Sequence, residues 1–367
     1  MKAAKAALFY GLDKPLAIED VSVAAPLDDE ILVKIHAVGI CHTDLTLMHY
    51  PIPTPVILGH EGAGVVEQVG KNITHVAPGD HVVITMDYCG QCKTCKKQRY
   101  FYCQQSVPRN FSWYRSDGSP TVSLDGKPVA AKFFNQSSFA SYAIGSANNV
   151  VKVTSEVPLK LLGPLACGIQ TGAGTVINEL DAGPEDSIAV FGVGAVGLAA
   201  VMAAKIRNCQ RIIAVDLNAD RLQLALNLGA TDVVNPADAD VIESIKSLTD
   251  GGVDFAVEAT GKPVVVEQAF DSLNGTGTCV SLGAMFPDAV AKINVGNLLP
   301  GRILKGVTEG SSDPHSFIPY MIDQFVAGNF PFDQLITEYK FEEINRALAD
   351  CQEGKTIKPI LVMDGIA

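Results

Sequence analysis

The run Gly192-Val193-Gly194-Ala195-Val196-Gly197 constrains the fold of this chain more than any other stretch. An apolar strand pattern at residues 187–191 leads into it, and a helical pattern at 198–206 leads out. Residues 211–215 read as the next strand, and Asp216 closes it nineteen residues past the last glycine. Strand, glycine turn, helix, strand and carboxylate in that order mark a dinucleotide-binding unit. Glycines let the backbone approach a pyrophosphate. The helix N-terminus offers it free N–H groups and the positive end of the dipole. Asp216 would accept from the adenosine ribose hydroxyls and repel a 2′-phosphate, so NAD is expected over NADP. Arg221 is close enough in sequence to reach the same ribose and soften that preference. The glycines alone would also suit tight helix–strand packing; the carboxylate after the second strand favours a nucleotide.

The same alternation continues. Residues 219–228 read as a helix, and 232–234, 253–257, 278–282 and 303–307 as strands, which implies a parallel sheet with crossover helices. The 367 residues are 47% hydrophobic but only 7% aromatic, with 33 glycines, a balance suited to an α/β protein of two domains. Residues 188–204 are apolar throughout, close to membrane-spanning length. The glycines inside the run and Lys205 and Arg207 after it argue instead for a buried strand, turn and helix. A net charge of −12 without a basic stripe argues against nucleic acid. Nine cysteines without a signal peptide point to metal binding or burial rather than disulfides, and to a cytoplasmic protein with no membrane partner.

The first part of the chain is written differently. Residues 30–38 alternate apolar and polar as a strand does, and 81–84 and 140–144 read as further strands. Asp117-Gly118 and Asp125-Gly126 are turn signals. At the other end, Ile344, Ala347, Leu348 and Cys351 share one helical face, with Gly354 as the stop.

Two cysteine constellations stand out. Cys89, Cys92, Cys95 and Cys103 fall within fifteen residues, which suits a closed, tetrahedral, structural zinc site. An iron–sulfur cluster is the rival, but its common run has a three-residue last gap followed by proline, whereas here the gap is seven and Gln104 follows. The second set is scattered: Cys41 in Cys41-His42-Thr43-Asp44, His60 in Gly59-His60-Glu61, and Cys167. Two thiolates and one imidazole form the three-ligand set of a catalytic zinc with an open fourth position. Cys209, Cys279 and Cys351 fall in apolar patterns and read as buried small hydrophobes.

With Gly64 and Gly70 after Gly59-His60-Glu61, and Pro78-Gly79-Asp80 beyond them, the chain resembles the zinc-dependent medium-chain alcohol dehydrogenases over nearly its whole length. Residues 133–140 and 167–174 are most similar to the aryl-alcohol (benzyl alcohol) dehydrogenases of that family. The resemblance implies a Rossmann doubly wound parallel sheet for NAD at residues 169–308. It implies a GroES-like β-rich catalytic domain with a structural-zinc lobe at 1–168 and 309–367. It implies two zinc ions per chain, one held by Cys41, His60 and Cys167 and one by Cys89, Cys92, Cys95 and Cys103. By the same resemblance Glu61 is an occasional zinc ligand, and Asp44 orients the ligand histidine. Thr43 takes the proton from the zinc-bound alcohol, and His42 and Lys358 contact the pyrophosphate. The implied reaction is hydride transfer between a primary aryl or allylic alcohol and NAD, giving the aldehyde, by a homodimer or homotetramer that pairs through the strand at 303–307.

One departure concerns the proton relay. Some relatives carry a histidine three residues after the threonine; here Thr46 stands there, and the route beyond Thr43 is open. Two alternatives remain at this stage: a glutathione-dependent formaldehyde dehydrogenase, which shares both zinc sites, and a non-catalytic dinucleotide-binding protein. Thr85, Met86, Tyr50 and residues near Met285 are candidates for the substrate wall by position alone.

Overall fold

The computed structural model describes residues 1–283, 289–363 and 365. The chain divides into two compact units, Met1–Cys167 with Asp313–Ile322 and Asp333–Ala367, and Gly168–Ser312 with Asp323–Phe332. The expected division fell after residues 168 and 308. The second boundary lies later because residues 309–311 pack on the helix Gly168–Gly174. Gln170 Nε2 donates to Glu309 Oε2 at 2.9 Å, and a Cβ on Gly310 would stand 2.5 Å from the Gln170 carbonyl.

The first unit holds two sheets. One has seven strands, running Val150–Lys152, His81–Ile84, Glu61–Val69, Glu30–Gly39, Lys358–Val362 and Ile336–Lys340, with Tyr142–Ser146 also paired to Glu30–Gly39. Glu30–Gly39 was expected to alternate between core and solvent, but it is buried along nearly all its length. Its three strand partners explain this, because they leave only Lys34 and His36 facing outward. The five-stranded sheet ends in the hairpin Val122–Leu124 to Lys127–Val129. Asp125 and Gly126 turn it with φ of 48° and 76°, the left-handed pair a two-residue hairpin requires. The helix Ile344–Gln352 buries Ile344, Ala347, Leu348 and Cys351, and Gly354 follows in the left-handed conformation.

The second unit is a six-stranded, all-parallel sheet in the order Asp232–Val234, Arg211–Val215, Ser187–Phe191, Val253–Glu258, Leu273–Ser281, Ile303–Gly306. That order, stepping outward from the first strand to both sides, is the doubly wound one. The long apolar run is divided as expected into the strand Ser187–Phe191 and the helix Ala195–Ile206. Among the described residues no helix is long and apolar enough to cross a membrane. Leu273–Ser281 begins five residues before its expected start at 278. The Asn274-Gly275-Thr276-Gly277 stretch lies within this strand, where the pairing with Val253–Glu258 shifts register.

Candidate active site

The seven-stranded sheet builds the site. The strand Glu30–Gly39 runs out through Ile40 to Cys41, which caps the helix His42–Leu47. Gly39 pairs with Glu61 on one side and Ile360 on the other, so the sheet register brings Cys41, His60 and the start of the last strand to one edge. Gly59 turns the chain into His60 with φ of 84°, and a Cβ there would lie 2.5 Å from the Phe139 ring. Cys167 follows the 3-10 helix Gly163–Ala166. The ligand atoms of Cys41, His60, Glu61 and Cys167 all fall within 4.8 Å of one another.

Asp44, fully buried, ties this cluster together. One oxygen accepts from the Cys41 amide at 3.0 Å. The other accepts from the Gly59 amide at 3.1 Å and from His60 Nδ1 at 2.9 Å. Since a carboxylate only accepts, Nδ1 carries a proton and Nε2 is the nitrogen left for a ligand bond. Nε2 is buried and has no hydrogen-bond partner among the described residues. An orphaned buried nitrogen beside two thiols is costly unless a cation completes it, so the donor set fits zinc. The Cys167 side chain hydrogen-bonds Cys41 and holds its thiol well below the usual range against the effect of burial, with His60 assisting. Burial opposes the His60 imidazolium, but the Asp44 carboxylate holds its pKa well above the ordinary value.

Glu61 is fully buried, and burial pushes its carboxyl up to about 7 against the pull of Lys358. Lys358 Nζ donates to both carboxylate oxygens at 2.8 and 3.0 Å and to the Ile40 carbonyl at 3.2 Å. Lys358 was expected at a pyrophosphate; the structure engages its buried ammonium with Glu61. Gly39 was not singled out by sequence. A Cβ there would lie 2.0 Å from Glu61 Oε2, so only glycine leaves room for the carboxylate. The Thr43 hydroxyl lies 3.6 Å from the Cys41 sulfur, and His42 is exposed. Phe134 and Phe133 flank the His60 ring at centroid distances of 4.6 and 5.3 Å, with Phe111 and Trp113 packed behind them. Of the residues expected to wall the pocket, Thr85 is fully buried and Met86 nearly so, while Met285 lies outside the described residues.

The four-cysteine lobe is separate in sequence but in the same unit. Its sulfurs stand 3.5 Å (Cys92–Cys95), 3.9 Å (Cys89–Cys95) and 3.9 Å (Cys92–Cys103) apart. A tetrahedron of sulfurs about 2.3 Å from zinc has edges of about 3.8 Å, so the cluster is already shaped for the ion. Cys89 Sγ accepts from the Gln91 and Cys92 amides, and Cys103 Sγ from the Cys89 and Gln105 amides. Thr94 brings the Cys92 thiol down to about 5, while burial pushes that of Cys95 up to about 12. The remaining cysteines, Cys209, Cys279 and Cys351, are buried, and burial pushes their thiols up to about 11, 12 and 11. They are inert fillers, as expected.

In the second unit the glycine turn has the expected geometry. Gly192 adopts φ of 85°, and a Cβ on Gly197 would lie 2.0 Å from the Gly192 carbonyl. Gly194 caps the helix Ala195–Ile206, and a Cβ there would meet nothing within 4 Å, so its backbone stands open to an approaching group. Asp216 Oδ2 accepts from the Val193 amide at 2.8 Å and Oδ1 from the Asn218 amide at 2.9 Å. The carboxylate is thereby fixed against the glycine turn, where a ribose would lie in this fold. Arg221, half-buried, lies in the first turn of the helix Ala219–Leu228.

Comparison with known proteins agrees with this geometry. Residues 27–155 match the alcohol dehydrogenase GroES-like domain family, and residues 195–326 match the zinc-binding dehydrogenase family. Geraniol dehydrogenase of Castellaniella defragrans is 43% identical over 364 residues, 98% of each chain. The crystal structure of benzyl alcohol dehydrogenase from Acinetobacter calcoaceticus superposes with a TM-score of 0.95 at 44% identity, covering 99% of this chain and 100% of that one. An alcohol dehydrogenase zinc-binding domain protein from Burkholderia ambifaria superposes with a TM-score of 0.97 at 47% identity, covering 99% of each.

Proposed function

The chain belongs to the zinc-dependent medium-chain alcohol dehydrogenases, and on that footing we propose that it oxidises primary aryl or allylic alcohols to aldehydes with NAD. The observation that carries the substrate class is the apolar packing of Phe133 and Phe134 around the His60 ring, surroundings that suit an unsaturated group better than a charged one. The geraniol and benzyl alcohol dehydrogenases among the relatives favour the same class over a glutathione adduct.

Zinc, when bound, supplies the Lewis acid that stabilises an alkoxide, and NAD, when bound, accepts the hydride. Cys41, His60 and Cys167 would hold the first, with Asp44 fixing the His60 ring. Thr43 Oγ1, beside the Cys41 sulfur, would take the proton from the substrate hydroxyl. Glu61, held by Lys358, is within reach as a further ligand. The first unit is read as the catalytic domain and the second as the cofactor domain. Gly192, Gly194 and Gly197 would admit the pyrophosphate, and Asp216 would accept from the ribose; His42, an exposed side chain of the first unit, keeps the phosphate-contact role that the family resemblance implies. Lys358 is read primarily as the partner of Glu61 rather than a phosphate contact. Cys89, Cys92, Cys95 and Cys103 would hold the structural ion.

Among the described residues the strand Ile303–Gly306 ends its sheet with an open edge, and Val295, Leu299 and Ile303 are exposed nearby. An open edge with apolar neighbours suits pairing with a second copy of the chain. A homodimer or homotetramer is therefore expected in solution.

The test is reduced-cofactor production with benzyl alcohol, cinnamyl alcohol, geraniol, ethanol and S-hydroxymethylglutathione, each with NAD and NADP. The unsaturated alcohols should exceed ethanol in kcat/KM by about tenfold or more. Asp216 should favour NAD by roughly thirty- to two-hundredfold, from repulsion of a phosphate of about −1.5 to −2 charge. S-hydroxymethylglutathione as best substrate would overturn the substrate class. Tight NAD binding with no turnover on any alcohol would favour a binding protein.

A further inference from the structure

Asp44 grips the metal centre through the His60 ring and the Cys41 amide. Two other buried side chains grip it through carbonyls. Thr85 follows the strand His81–Ile84, and its hydroxyl donates to the Ala166 carbonyl at 2.5 Å. That carbonyl belongs to the peptide joining Ala166 to Cys167. Cys167 itself has non-helical angles, φ −144° and ψ −89°, at the end of a 3-10 helix. Thr85 is in turn held: its amide donates to the Asn149 carbonyl at 2.9 Å, and its carbonyl accepts from Asn149 Nδ2 at 3.2 Å.

Gln136 holds the peptide on the other side of its residue, the one joining His60 to Glu61. Its Nε2 donates to the His60 carbonyl at 2.8 Å and the Ile84 carbonyl at 2.9 Å, the two N–H bonds an amide can give. Its Oε1 accepts from the Gly62 amide at 3.2 Å and from the Ser138 hydroxyl. Gly62 leaves room for this, since a Cβ there would stand 2.4 Å from Ser138 Oγ. Both side chains are almost wholly buried, so water cannot replace what they donate.

We infer that Thr85 and Gln136 are positioning residues of the metal centre, Thr85 fixing the peptide plane that aims Cys167 and Gln136 the plane that aims His60. The inference rests on the reading of Cys41, His60 and Cys167 as zinc ligands. It also reassigns Thr85, whose hydroxyl is directed at Ala166 rather than at a substrate. The two anchors converge on the strand His81–Ile84 and the residue after it, so His60 and Cys167 are referenced to one rigid element although 107 residues separate them. Outer-shell partners of metal ligands typically change metal affinity by about ten- to a hundredfold when removed.

The experiment uses the zinc-loaded full chain and follows zinc release to a chelator, with the four-cysteine zinc as internal reference. Thr85→Val keeps the shape and removes the donor. It should release the catalytic zinc about tenfold faster while the lobe zinc leaves at the parent rate, and Thr85→Ser should restore the parent behaviour. With cobalt in the catalytic site, the visible spectrum should shift in Thr85→Val and return in Thr85→Ser. If Thr85→Val does not fold, Thr85→Ala and Gln136→Glu, which sets an acceptor against two carbonyls, carry the same expectation. Parent-like release and spectra in the folded variants would overturn the inference, as would equal acceleration of both zincs, the mark of a merely structural role. A parent that binds only one zinc would instead overturn the metal-centre reading itself.

Discussion

The four-cysteine lobe and the Cys41, His60, Cys167 centre lie in one unit and draw on similar donors, but they are assembled in opposite ways. The lobe takes its sulfurs from one loop, and the amides that steady Cys89 and Cys103 come from that same loop. Its apolar support is small: Tyr88, Cys95 and Cys103 with Cys89, Cys92 and Tyr100 packed against them. The other centre gathers its ligands from three distant points and depends on the large core beneath the sheet. Its polar supports, Asp44, Thr85 and Gln136, are buried side chains rather than neighbouring amides. A metal in the lobe would therefore stand in for a core that the loop lacks, whereas the residues of the open centre are held in place by the scaffold's own buried side chains.

Loss of a ligand should consequently have different results in the two places. Cys41→Ser should lower turnover by about a thousandfold or more, since several kcal/mol of charge stabilisation is lost and each ~1.4 kcal/mol is a factor of ten. Its unfolding midpoint should stay within about 3 °C of the parent, a shift corresponding to roughly 1 kcal/mol. Turnover assays and thermal melts check this together, and a large fall in the midpoint would erase the contrast. Cys95→Ser has the smaller expected effect on catalysis and the larger one on stability. Its midpoint should fall by roughly 10 °C, the consequence of losing a few kcal/mol of metal-coupled folding energy. Residual soluble protein should retain turnover within about tenfold of the parent. A Cys95→Ser variant as stable as the parent would show that the lobe folds without its ion.

How far each region could be read from sequence follows the same division. The lobe's four cysteines are close in the chain, so their spacing alone marks them as one cluster. The dinucleotide half was equally readable, because Gly192 to Asp216 is a local string whose order is its geometry. Cys41, His60 and Cys167 of the open centre stand out by residue type and by resemblance, but their supports do not. Lys358 and Glu61 are 297 residues apart, and nothing near either announces the pair. Thr85 and Gln136 carry ordinary polar side chains in apolar surroundings, and a hydroxyl's partner depends on sheet register rather than on neighbours. Gly39 has a faint signal, a glycine ending an apolar strand before Cys41, whose meaning appears only once Glu61 lies across from it. The early start of Leu273–Ser281 was hidden for the opposite reason. Its glycines carry no strand pattern, and they fall in the register shift between Leu273 and Thr278, the residues that pair with Val253 and Phe255.

The most direct test of the account is to remove metal stepwise with a chelator while following zinc content, activity and unfolding midpoint on one sample. The account predicts two zincs per chain, lost in separable phases. Activity should disappear with the loss from the open centre and be restored by added zinc, and the midpoint should fall with the loss from the lobe. A fully active chain holding a single zinc, or activity that survives loss from the open centre, would contradict it.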